Sequence, residues 1–67
     1  MAKIQINGKK VSIENRASVF DILKKYKLNS AKVAIELNGI IVPRSLQKKK
    51  KLKNNDKIEV VQFIGGG

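Results

Sequence analysis

Sixty-seven residues make one domain, near the lower size limit for folding without a disulfide or a metal. Cysteine and histidine are both absent, which excludes disulfides, thiol nucleophiles, Cys/His zinc sites and imidazole acid–base chemistry. Fifteen basic residues face five acidic ones for a net charge of +10, which draws in anionic partners such as nucleic acid or an acidic protein surface. A hydrophobic content of 42% is enough for a packed core. No apolar run approaches a membrane span and the N-terminus shows no signal-peptide core, so a soluble, cytoplasmic protein is expected.

The stretch KIQING alternates apolar Ile4 and Ile6 with polar neighbours, the period of a half-buried strand. Asn7-Gly8 is a hairpin signal, because a type I′ turn needs positive φ at both central residues. KVSIE resumes the alternation with Val11 and Ile13, and a β-hairpin is predicted over residues 3–14. Ser18 is an N-cap residue, and Asp21 three positions on approximates a capping box. Val19, Ile22, Leu23 and Tyr26 form one apolar stripe, while Lys24, Lys25 and Lys27 complement the dipole at the far end. The helix is predicted over 18–28.

KVAIEL predicts a third strand over 33–37, turned back by Asn38-Gly39 into a short strand over 40–42. Pro43 cannot donate to a ladder, which keeps that strand short and at a sheet edge. Residues 44–55 read as irregular and basic, with Leu46 and Leu52 as apolar anchors and Lys48 to Lys51 as a charged block. Asn54-Asn55-Asp56 reads as a turn into the last strand, KIEVVQFI, which is apolar on both faces and suits a central position.

Strand, strand, helix, strand, strand, strand implies a two-layer α+β domain, a mixed sheet of about five strands packed on one helix. The expected interface joins Ile4, Ile6, Val11, Ile13, Val33, Ile35, Leu37, Ile58 and Val60 to Val19, Ile22, Leu23 and Tyr26. Residues 1–64 form the domain and 65–67 a flexible glycine tail. Taken alone, Gly65 to Gly67 also fit a frayed terminus or a cloning remnant.

The layout, VAIELNGIIVPRS (Val33 to Ser45) and the ending EVVQFIGGG (Glu59 to Gly67) together resemble the ThiS family, ubiquitin-like β-grasp sulfur carriers of thiamine biosynthesis. INGK near the start and NNDKIEVV before the last strand fit as well, so the resemblance spans essentially the whole chain. It implies a carrier rather than an enzyme. A ThiF-like, ATP-dependent adenylating enzyme would activate the Gly67 carboxylate, and a sulfur-donor protein would convert it to a thiocarboxylate. Thiazole synthase would then take the sulfur into the thiazole ring. The carrier binds no cofactor of its own; ATP is used by the adenylating enzyme. The high positive charge departs from a family whose members are often acidic.

The chemistry of Gly65, Gly66 and Gly67 agrees with that implication. A carboxylate that must enter another protein's ATP site needs a thin, adaptable lead, which residues without Cβ provide. Val61 and Phe63 alternate with the inward Ile58 and Val60, so they belong on the sheet face away from the helix. There they would form a docking patch for the activating enzyme and the acceptor, sharing the face with Ala34, Lys3, Gln5 and Glu36. Lys48 to Lys51 read most simply as a solvated loop, and next as a patch steering acidic partner enzymes.

The alternatives are a carrier of the molybdopterin-synthase type, a ubiquitin-like protein modifier and a small nucleic-acid-binding domain. Against the last, Phe20, Tyr26 and Phe63 build no interleaved stacking platform, leaving at most non-specific nucleic-acid binding. No acid–base or nucleophile constellation is visible in the sequence.

Overall fold

The computed structural model describes residues 1–62. Five strands and one α-helix occur in the order β1 (Ala2–Ile6), β2 (Lys9–Ile13), α1 (Val19–Lys25), β3 (Val33–Leu37), β4 (Ile40–Ile41) and β5 (Lys57–Gln62), with a short 3₁₀ turn at Arg44–Leu46. The sheet order is β2-β1-β5-β3-β4. β5 lies centrally, parallel to β1 and antiparallel to β3, while β2 and β4 close the edges by antiparallel pairing. Pro43 comes after an edge strand of two residues, as its missing N–H requires.

Both hairpin turns take the left-handed conformation their sequences predict: Asn7 and Gly8 have φ of 50° and 84°, and Asn38 and Gly39 have 53° and 85°. The helix begins in a complete capping box. The Asp21 backbone N–H donates to Ser18 Oγ (3.1 Å), and the Ser18 N–H donates to Asp21 Oδ2 (2.9 Å). The Ser18 backbone N–H, then the Ser18 hydroxyl, hold the Asp21 carboxyl below its ordinary value, with smaller help from Lys51 and Lys24.

α1 is shorter than its periodicity suggests, and Tyr26 is its C-cap, 41% exposed rather than buried against the sheet. The reason is a Schellman closure. The Lys27 N–H donates to Lys24 O (3.1 Å) and the Leu28 N–H to Leu23 O (2.8 Å), with Lys27 at φ 56°. The chain reverses there, and Leu28 packs against the core where the spacing had placed Tyr26.

The core joins Ile4, Ile13, Val33, Ile35, Leu37 and Ile58 of the sheet to Val19, Ile22 and Leu23 of α1, with Ile6, Val11 and Val60 half-buried against it. Ala2, Val42 and Leu52 complete it. Leu46 is no anchor, being 47% exposed. The segment after it is fastened through its backbone to the start of α1. Phe20 N–H donates to Gln47 O (3.0 Å), Val19 N–H to Lys50 O (3.0 Å) and Leu52 N–H to Ala17 O (2.7 Å). The first two satisfy helix donors that would otherwise lack partners. They leave Gln47 and Leu52 buried and Leu46 exposed.

Candidate functional site

The site is the far end of β5, at Val60, Val61 and Gln62. Two asparagines from the hairpin turns hold that strand. At its start, Lys57 N–H donates to Asn38 Oδ1 (2.9 Å), and Asn38 Nδ2 donates to Asp56 Oδ1 (3.0 Å). The buried Asp56 carboxylate also accepts the Lys53 N–H at Oδ2 (2.9 Å). Further along, Val60 N–H donates to Asn7 Oδ1 (2.8 Å), and Asn7 Nδ2 reaches Val60 O (3.4 Å). The parallel pairing of β1 with β5 has its last paired residues at Ile6 and Ile58, so the Asn7 amide serves as a surrogate backbone for two more positions. Beyond Val60 the ladder runs on the β3 side, to Val33 opposite Gln62.

The sheet face away from α1 changes character along β5. Glu59 stands opposite Glu36 in the middle, and toward the strand's exit Val61 stands opposite Ala34. Ile41 of β4 pairs with Glu36 and is exposed on the far side. Val61 is 50% exposed, on the face and with the Ala34 neighbour that the alternation predicts. The other expected docking residue, Phe63, lies outside the described residues, as do Gly65, Gly66, Gly67 and the predicted domain boundary.

On the helix side of the exit, Ile6, Tyr26, Leu28 and Val60 line an open groove of about 570 Å³ that reaches Val61 and Gln62. Tyr26 borders the exit here instead of filling the core. Sequence reading missed this, and it missed both asparagine clasps, because Asn7 and Val60 are 53 positions apart and Asn38 and Lys57 are 19 apart. The Asn-Gly signal reports the turn and carries no sign of the longer contact.

Among the described residues, no group of three or more His, Cys, Asp or Glu side chains gathers as a metal site. None of their helices is long and apolar enough to cross a membrane. What the site offers is a central strand hydrogen-bonded to two turn asparagines, with apolar surface on each side of its far end.

A family model, described as the ThiS family, matches residues 4–67. The sulfur carrier protein ThiS of Bacillus subtilis (strain 168) is 34% identical over 65 residues, covering 96% of this chain and 98% of its own. A thiazole synthase of Paramagnetospirillum magneticum is 38% identical over 65 residues, covering 97% of this chain but 20% of that protein. The crystal structure of the thiamine biosynthesis protein (ThiS) from Geobacter metallireducens superposes with a TM-score of 0.83 at 28% identity, covering 97% of this chain and 99% of the other. The five-stranded mixed sheet on one helix is therefore the ubiquitin-like β-grasp.

Proposed function

The chain belongs to the ThiS family, and from that premise we propose that it is a sulfur carrier for thiazole formation in thiamine biosynthesis, loaded at the carboxyl group of Gly67. The observation that carries this reading is the family match running through to Gly67, on a fold whose clasped central strand leads toward that residue.

The chemistry proceeds in two exchanges. The Gly67 carboxylate oxygen attacks the α-phosphorus of ATP in an adenylating enzyme and pyrophosphate leaves. A poor acyl electrophile thereby gains AMP as leaving group. A sulfide equivalent from a sulfur-donor protein then attacks the acyl carbon; the C–S bond forms, the bond to AMP breaks, and a thiocarboxylate remains. Its sulfur is a better nucleophile than the carboxylate oxygen it replaces.

The carrier's own contribution is positional. Gly65 to Gly67 carry no side chain to obstruct entry into a narrow site. The folded domain is the handle whose binding positions the terminus for reaction. Val61, with Phe63, supplies apolar contact next to the entering tail, and Ala34 opposite Val61 leaves room for a partner side chain. Thiazole synthase is the proposed acceptor, supported by the relative of that name with a matching segment a fifth of its length. That relative also favours the thiazole branch over the molybdopterin one.

Incubation with ATP, the adenylating enzyme and sulfide is expected to raise the intact mass by the difference between a sulfur and an oxygen atom. Removal of Gly67 is expected to abolish the gain and leave the circular dichroism spectrum unchanged. Isopeptide adducts on lysines in place of the thiocarboxylate would overturn the reading in favour of a protein modifier.

A further inference from the structure

The helix layer carries a feature that tail chemistry does not use. Phe20, in the first turn of α1, is half-buried, and two lysines from different elements converge on its ring. Lys48 Nζ lies 4.9 Å from the ring centroid and Lys24 Nζ 5.7 Å. Lys51 joins them by bridging to Ser18, the N-cap of the same helix, where the Asp21 carboxylate interacts with both Lys51 and Lys24. Asp21, held as a carboxylate by the Ser18 N–H in the capping box, offsets one of the three lysines and leaves the cluster net positive. Lys49 and Lys50 stand exposed in the same loop.

The loop is anchored by backbone bonds from Phe20 and Val19, so the backbone that carries these lysines has a defined place relative to the helix. Cation–π contact keeps the ammonium groups over the ring at little cost in solvation. The cluster centres on the first turn of α1, while the groove at the exit of β5 borders Tyr26 beyond the last turn. Seven helical residues separate them by about 10 Å, so one partner surface can span both.

We propose that the Lys24–Lys48–Lys51 cluster is a second docking element that takes an acidic protein surface on the adenylating enzyme and steers this carrier to it. The inference rests on the sulfur-carrier reading for the identity of the partner. Protein is favoured over nucleic acid because the exposed aromatic surface at the cluster is already engaged by lysines, leaving Phe20 no free face for a stacked base. The basic charge there outnumbers its acids, Glu14 and Asp21, whereas Glu36 and Glu59 lie on the opposite sheet face. Fixed charge complementarity of this kind acts chiefly on the association rate.

The test compares the full chain with Lys24→Glu/Lys48→Glu/Lys51→Glu, and with the milder triple change to Gln. All three lysines are exposed, and thermal melts check that each variant folds. Association with the adenylating enzyme is followed by stopped flow. At about 20 mM salt the reversal is expected to slow association tenfold or more and the Gln variant several-fold, both differences shrinking below about twofold near 500 mM. Sulfur loading at saturating enzyme is expected to be equal in all three chains. Equal, salt-independent association rates for well-folded variants would overturn the steering element while loading still proceeds. Absence of loading in the unaltered chain would instead overturn the carrier reading. Submicromolar binding of a 20-base-pair DNA duplex near 150 mM salt, lost in the reversal, would reassign the cluster to nucleic acid.

Discussion

The two broad faces of this domain are built on opposite plans. The outer sheet face at β5 is shaped by a backbone ladder and turns apolar toward the strand's exit, with Val61 over Ala34. The helix-and-loop face is shaped by three backbone bonds from the 47–52 segment to the start of α1, and it spends its side chains on lysine. Apolar contact acts only once surfaces touch, so it suits affinity and register. Unscreened charge acts over roughly 8–10 Å at ordinary salt, so it suits approach. One small domain can thus separate how a partner finds it from how the partner holds it.

The sharpest way to break this comparison is at the tail. One residue appended after Gly67 is expected to abolish thiocarboxylate formation outright, read by intact mass, while association with the adenylating enzyme remains salt-dependent. Val61→Ser comes next. It should weaken equilibrium affinity for that enzyme about tenfold or more without changing the salt slope or the melting temperature. A change in the salt slope would merge the two faces into one electrostatic surface.

Smaller effects test how the strand is held. Asn38→Gly keeps the left-handed turn but strips partners from Asp56 and the Lys57 N–H, and should cost roughly 2–3 kcal/mol in denaturant unfolding. Asn7→Gly removes only the clasp on Val60 and should cost about 1 kcal/mol. Its signature is faster amide exchange at Val60, with the Leu37–Ile58 end of the sheet unchanged.

The smallest expected effect is on pH. The folded Asp21 carboxyl titrates below its ordinary 3.8. Its contribution is therefore complete above that value and lost as pH falls through the lowered folded value. Asp21→Asn should lower stability at neutral pH and flatten the acid limb of the stability curve below about pH 4.

How far the sequence could be read varied with the range of the interaction. Both Asn-Gly turns, the capping box, β3 at residues 33–37, the short edge strand before Pro43 and the central place of the last strand were legible, because each rests on neighbours within a few positions. Tyr26 was misplaced because periodicity extends a helix until something stops it. The stop was a lysine in left-handed geometry, where glycine is the usual marker. Leu46 was misplaced because burial in the basic loop is decided by where its carbonyls meet α1.

By itself, then, the sequence determined the order and type of the elements, the alternation that puts Val61 on the outer face, and the side-chain-free ending. These come from covalent geometry and local periodicity. Only the tertiary structure decided that Asn7 and Asn38 grip β5, that Tyr26 borders its exit, and that Lys24, Lys48 and Lys51 gather around Phe20 and Asp21. Those arrangements join residues far apart in the chain, and their energies exist only once the sheet and helix have packed.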